Sequence, residues 1–290
     1  MKICIVGVGN IGMRYVQGIR KKWPEAELLL VDNDVRLREL EKLELTNVRL
    51  VNSLDAVADP IDIFVVSTSC APRLSIYKQC LALEPRYVIL EKYLFKSREE
   101  FDECLSLARV PTFVNQWMYG THCFDCLFEA GARSVELTGS GWGLACNAVH
   151  WIDVFQRHMN IDRVQVGIGT TITDVRPSKR DGYEELLGEW IFEDVDSDKT
   201  FKLVDSAEDR ADAGLRIQVD SEDFFFDYTS VRKDGTVLAR FPYFSDQVGD
   251  LVGEILENGT CALPLLEDST RQHLLVEDIL ERLERRPRIT

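Results

Sequence analysis

The 290-residue sequence predicts an α/β protein: a doubly wound parallel sheet over residues 1–115, followed by an α+β domain on a largely antiparallel, open-faced sheet over 116–290. Three observations lead there. Short apolar runs alternate with amphipathic stretches through the first 115 residues, the pattern of strands joined by crossover helices. Beyond Asn115 the rhythm changes to strand-like runs grouped together, which favours antiparallel pairing. A glycine-rich turn, Gly7-Val8-Gly9-Asn10-Ile11-Gly12, follows the first apolar run.

The strand candidates of the first half are residues 3–6, 28–31, 48–51, 61–66, 87–90 and 112–114. Between them Ile11, Tyr15 and Ile19 recur at helical spacing, as do Leu74, Tyr77 and Leu81, and Phe101, Cys104, Leu105 and Ala108. After Asn115, two helical segments (121–130 and 143–159) precede strand-like runs from Val164 through Phe241. Residues 194–212 are acidic and turn-rich and read as a solvated loop or hairpin tip. Near the end Leu275, Ile279, Leu280 and Leu283 form one helical stripe, with Arg282, Arg285 and Arg286 suited to a helix C-terminus before Pro287.

Composition narrows the function. A net charge of −15 argues against nucleic acid or an anionic membrane as partner. Charged residues interrupt every apolar run before the roughly 20 residues a membrane span needs. The short apolar start, Ile3 to Val6, leads straight into the glycine turn instead of forming a signal-peptide core, so a cytoplasmic protein is expected. Eight scattered cysteines read as reduced thiols.

The glycine turn sits between a strand and an amphipathic helix, the setting of a dinucleotide-binding (Rossmann) fingerprint. Gly7 makes the tight turn, Gly9 admits the pyrophosphate, and Gly12 lets helix and strand pack closely, while Asn10 and Ile11 open the helix whose N-terminus faces the phosphates. Asp32, 20 residues past Gly12, stands where a carboxylate bonds the ribose hydroxyls and repels a 2′-phosphate. NAD(H) is therefore expected over NADP(H), although Arg36 and Arg38 lie nearby.

Ligands of parallel sheets sit beyond the carboxyl ends of the strands. Ser67 and Thr68 follow the fourth strand, Glu91 and Lys92 the fifth, and Asn115 and Trp117 the sixth. At that place the Lys92 ammonium could donate to a substrate hydroxyl or carbonyl; it could equally form a surface pair with Glu91. In the segment 142–153, Cys146, His150 and Asp153 share a helical face. His150 reads either as an acid/base group held by Asp153 or as a satisfied core histidine, with Asp153 pairing locally.

The glycine motif, Asp32, Glu91-Lys92, Asn115 and His150-Trp151-Ile152-Asp153, in this order and spacing, together resemble the Gfo/Idh/MocA oxidoreductases. The closing run Gly259 to Pro264, with Ser269 and His273, extends the resemblance over nearly the whole chain. It implies a Rossmann domain plus an open-faced domain that often forms homodimers or homotetramers, with no metal. It further implies hydride transfer between nicotinamide and a secondary alcohol or ketone, Lys92 acting on the substrate oxygen and His150 completing the acid/base set. Glu91 and Asn115 join the cofactor set, and Trp117, Asn147 and His150 the substrate set. Lys179 and Arg180, in the loop 178–184, suit an anionic part of a substrate; a solvated loop is the alternative. Similar loops in short members of the family point to a sugar, cyclitol or nucleotide-linked sugar.

Two residues depart from the family pattern. Tyr93 stands where the family has proline after the lysine, a change expected to alter the lysine's backbone setting through loss of a cis bond. Cys146 stands where an aspartate precedes the histidine by four residues, and a neutral thiol cannot supply that charge. An inactive NAD-binding regulator or assembly subunit, and an NAD-dependent glycoside-cleaving enzyme, are the alternatives. The segment His122-Cys123-Phe124-Asp125-Cys126 lacks a second ligand pair for zinc and reads as ordinary packing.

Overall fold

The computed structural model describes residues 1–58, 60–128, 131–179, 181–207 and 214–289. The chain divides into two compact units, Met1–Gln116 with Tyr243–Thr270, and Trp117–Pro242 with Arg271–Thr290. Elements are numbered in chain order.

In the first unit, β1 (Lys2–Val6), β2 (Glu27–Val31), β3 (Val48–Val51), β4 (Ile63–Val66), β5 (Tyr87–Leu90) and β6 (Thr112–Val114) form a parallel sheet in the order β3-β2-β1-β4-β5-β6. Reversal of strand order between β1 and β4 opens the crevice in which such sheets bind nucleotides. The interior strands are buried beyond their first residues, β4 completely, because helices cover both faces. Four helices lie between the strands: α1 (Asn10–Lys22), α2 (Asp34–Glu41), α3 (Cys70–Ala82) and α4 (Arg98–Leu107). Ser97 caps α4, accepting from Glu100 N at 3.4 Å.

The segment 243–270 returns to this unit, whereas the sequence reading kept everything beyond 115 in the second domain. The physical reason is a helix that reading lacked, α6 (Phe244–Asn258), which packs on α1. A methyl group on Gly18 of α1 would lie 2.4 Å from Ser245 O and 2.5 Å from a Val248 methyl, so only glycine permits this approach. Beyond α6, Val114 N donates to Pro264 O at 3.0 Å, and Phe113 bridges to Leu265, covering the free edge of β6.

The second unit carries a nine-stranded sheet, β7 (Ser134–Ser140), β8 (Val164–Val166), β9 (Thr171–Pro177), β10 (Glu184–Asp194), β11 (Thr200–Ser206), β12 (Leu215–Val219), β13 (Glu222–Phe226), β14 (Ser230–Lys233) and β15 (Thr236–Arg240). Its order is β15-β14-β13-β12-β7-β11-β10-β8, with β9 paired to β10. All pairings are antiparallel except β7 with β11. One face buries Val135, Leu137, Phe201, Leu203, Ile217 and Trp190, and helix α5 (Leu144–His158) packs on β10 and β11. The alternate residues are polar; Lys202 pairs with Glu136 at 2.9 Å.

Three local expectations change. Within the expected helix 121–130, whose last two residues lie outside the described ones, single 3₁₀ turns form at Tyr119–Thr121 and Asp125–Leu127, because His122 takes a left-handed conformation (φ 55°) that stops a helix. Residues 200–206 of the expected acidic loop are strand β11, inside the sheet; its polar residues alternate with buried ones, as one solvated face requires. The last helix, α7 (Leu266–Leu280), stops before the arginine cluster. Arg285 pairs instead with Glu184, and Arg286 with the buried Glu277. Among the described residues no helix is long and apolar enough to cross a membrane.

Candidate active site

The glycine turn is built as a cradle. Gly7 sits at φ +89° and its N–H donates to Val31 O at 2.8 Å, locking the turn to β2. A methyl group on Gly12 would lie 2.2 Å from Gly7 O, so helix α1 leaves the turn at a distance only glycine allows. Gly9 faces open space, with nothing within 4 Å of where its Cβ would be. It is the N-cap of α1 and supplies no side-chain cap, and the first turn carries no acid. Exposed Asn10 and Ile11 follow, Ile11 at 42% exposure. An uncapped helix N-terminus behind an open glycine fits a pyrophosphate.

Asp32 is bound into this turn. Its Oδ2 accepts from Val8 N at 2.6 Å and its Oδ1 from Asn33 N at 2.7 Å. Arg36, noted in the sequence as a possible contact for a 2′-phosphate, donates through Nε to Val8 O at 2.8 Å and pairs with Glu39 at 2.7 Å. On the other side the Ser67 hydroxyl donates to Gly7 O at 2.6 Å, and Thr68 lies against Gly7. The Thr68 Oγ1 atom is buried and has no hydrogen-bond partner among the described residues.

Beyond β5, Glu91 is 6% exposed. Its Oε1 accepts from Asn115 Nδ2 at 2.5 Å and from the Tyr15 hydroxyl at 3.0 Å. Burial pushes the Glu91 carboxyl upward, while the Asn115 hydrogen bond and the Arg73 charge pull it back; burial and the Glu91 charge raise the Tyr15 phenol well above its ordinary value. Asn115 is placed by its N–H donating to Leu90 O at 2.8 Å. Glu91 and Asn115 are thus brought together, as partners of each other. Lys92 follows, half-buried, and the Lys92–Tyr93 peptide is cis. The cis bond expected to be lost with proline is present with tyrosine. Tyr93, Leu94 and Phe95 are buried, the last edge-on to Phe101 at 5.3 Å.

In the second unit, α5 carries Asn147 in its first turn and His150 near its middle, with Cys146 one turn before the histidine. The Asn147 amide donates to Trp142 O at 2.8 Å. The start of α5 is fastened by the buried Asp205, which accepts from Gly141 N at 2.6 Å, Gly143 N at 3.1 Å and Leu144 N at 3.3 Å. Burial raises the Asp205 carboxyl, and these N–H groups oppose the rise. His150 is buried. Asp153 is fully buried; its Oδ1 accepts from Arg157 Nε at 2.9 Å and Gln272 Nε2 at 3.1 Å. Trp117 packs against Phe241 at 5.0 Å. Lys179 is exposed just past β9, and Arg180 lies outside the described residues. Phe124 joins Trp151, Phe226 and Phe241 in an aromatic cluster, and Asp125 joins His122 and His158 at 3.1 and 3.0 Å.

Sequence reasoning missed Tyr15, Arg73 and Asp205. Arg73 was legible: Arg73, Tyr77 and Cys80 repeat at helical spacing and all are buried, so the arginine shares the inward face of α3.

Residues 1–112 match the model of the oxidoreductase family with an NAD-binding Rossmann fold, Gfo/Idh/MocA. The match spans the first unit's parallel sheet from its start to Thr112. Solved structures match across both units. GenD2 of gentamicin A biosynthesis, solved with NAD, is 17% identical with a TM-score of 0.72, covering 96% of this chain and 92% of its own. A putative myo-inositol dehydrogenase from Sinorhizobium meliloti 1021 is 14% identical with a TM-score of 0.67, covering 96% and 95%. KijD10, a 3-ketoreductase from Actinomadura kijaniata solved with TDP-benzene and NADP, is 13% identical with a TM-score of 0.68, covering 96% of each chain. At these identities the likeness is one of fold. No curated protein matches the chain.

Proposed function

We propose that this protein is an NAD-dependent oxidoreductase, moving hydride between nicotinamide and a secondary alcohol or ketone of a sugar, cyclitol or nucleotide-linked sugar. The observation that carries the reading is the cradle: an open Gly9 before an uncapped helix, with the Asp32 carboxylate bound to Val8 N beside it. Preference for NAD rests on that carboxylate and on Arg36, whose guanidinium is engaged by Val8 O and Glu39.

When bound, nicotinamide supplies or accepts the hydride. Lys92 delivers a proton to the reacting oxygen in reduction and receives it in oxidation, with His150 as second acid/base group. Asn147, Trp117, Lys179 and Arg180 are the proposed substrate contacts. The sugar-like substrate is supported by what GenD2, the putative inositol dehydrogenase and KijD10 are described as acting in or binding. We place the activity in the cytoplasm and in a homodimer or homotetramer.

The test is a fluorescence titration of cofactor-free protein with NADH and NADPH, followed by a screen of cyclitols and nucleotide sugars for substrate-dependent change in NADH absorbance. NADH should bind at least tenfold more tightly than NADPH, and at least one of these compounds should turn over. Folded protein that binds neither nucleotide would end the redox reading. NADH binding with no turnover across the screen would favour the regulator, the reading that Cys146 supports.

A further inference from the structure

Arg73 is a charged side chain buried to 1% exposure in α3. A buried guanidinium must find acceptors for its five N–H groups or destabilise the fold. Its two terminal nitrogens find backbone carbonyls on two loops, while Nε has no partner among the described residues: Nη1 donates to Tyr93 O and to Leu94 O, the latter at 3.0 Å, and Nη2 donates to Thr68 O. Thr68 belongs to the loop after β4 and touches Gly7 of the glycine turn; Tyr93 and Leu94 directly follow Lys92. The Glu91 carboxylate, on the other side of the lysine, balances the guanidinium charge.

We propose that Arg73 is a positioning residue that fixes the backbone on the C-terminal side of Lys92 and ties it to the loop walling the nucleotide cradle. The chemistry of position 93 explains why an outside clamp is useful. Tyrosine has no ring to fix φ as proline does, and a planar guanidinium that bridges neighbouring carbonyls restricts the backbone from outside. Burial lowers Arg73 from its ordinary value and the Glu91 charge opposes this; a guanidinium keeps its proton in proteins, so the clamp persists at neutral pH. Arg73 does not act on substrate; its effect passes through Lys92. The proposal rests on the reading of Lys92 as the proton carrier, but its test does not need a substrate.

The experiment measures acetylation of each lysine by N-hydroxysuccinimidyl acetate, resolved by mass spectrometry, in the wild type, Arg73→Met and Arg73→Lys, with folding checked by circular dichroism. In Arg73→Met the Lys92 labelling rate should change at least fivefold. Lys21, on α1, and Lys233, on β14, should stay within a factor of about 1.5. Amide hydrogen exchange should quicken in the peptide spanning 91–97 without a matching change in β1. Arg73→Lys, which keeps the charge and one donor direction, should fold and restore part of the wild-type rate. An unchanged Lys92 rate in folded Arg73→Met, or in folded Arg73→Lys should the methionine variant not fold, overturns the proposal. So does a uniform change at every lysine, or failure of both variants to fold, either of which makes Arg73 a residue of general stability. An NADH titration of the wild type runs alongside: its failure removes the oxidoreductase reading and leaves the Arg73 result standing or falling on the labelling alone.

Discussion

Around Lys92 the polar side chains of the first unit hold one another: Glu91 accepts from Tyr15 and Asn115, and Arg73 joins the loops on either side. On α5 of the second unit, Asp153 accepts from Arg157 and Gln272, and the Asn147 amide donates to Trp142 O. The position one turn before the histidine is a thiol. A network whose members fix each other presents its reactive group in one geometry. A thiol at that position is a weak hydrogen-bonding group where a carboxylate would be a strong acceptor. We propose from this contrast that Lys92 carries more of the catalysis than His150.

The sharpest way to break this comparison is to remove each group in turn, using any substrate found by the screen. Lys92→Ala should lower kcat by about a thousandfold, within the usual 10²–10⁴ range for a general acid/base, with NADH affinity unchanged within threefold. His150→Ala should cost only about tenfold. Cys146→Asp should raise kcat in the wild-type background and have no effect once His150 is alanine, a non-additivity that a double-mutant cycle reads directly. Equal losses for Lys92→Ala and His150→Ala would show that the second unit contributes as much as the first.

The comparison also separates what was legible in the sequence from what was not. The parallel sheet could be read strand by strand, because buried strands are unbroken apolar runs bounded by turns, and the cradle because its glycines answer steric demands. Helix α6 was missed although Val248, Leu251, Val252 and Ile255 repeat at helical spacing. Its Gly249 and Gly253 lower helix propensity, yet they let Lys22 and Trp23 approach. Strand β11 was hidden because alternate residues face solvent, giving a local composition like that of a loop. Arg73 and Asp205 went unread because charged residues are ordinarily solvated; helical spacing puts Arg73 on the inward face of α3, but only the folded chain shows which carbonyl and N–H groups the two satisfy.

Cofactor preference offers a smaller test, confined to the first unit. Asp32→Ser removes the charge that opposes a 2′-phosphate and the acceptor that holds Val8 N. The ratio of NADPH to NADH affinity should rise by about tenfold, equivalent to 1.4 kcal/mol, while affinity for NADH itself falls. Adding Arg36→Ala should then reduce the gain if the arginine leaves Val8 O and Glu39 for the phosphate. An unchanged ratio in Asp32→Ser would place the discrimination elsewhere in the cradle.

The smallest effect distinguishes the units by their carboxylates. Glu91, raised by burial above its ordinary 4.5, keeps a proton in the folded state that the unfolded chain has released, so its contribution to stability falls as pH rises from 4.5 through its folded value. Glu184, paired with Arg285 and accepting from Arg288 N at 3.0 Å, is held down to about 2. The stability it gives is complete above 4.5 and is lost as pH falls through about 2. Urea midpoints measured across this range should show both limbs, with Glu91→Gln removing the decline on the rising side and Glu184→Gln flattening the acid limb. The second change should be slight, since the pair is solvent-screened. If Glu91→Gln leaves the slope above 4.5 untouched, the buried carboxyl is held ionised by Asn115 and Arg73, and the network behind Lys92 carries a permanent negative charge against which the lysine works.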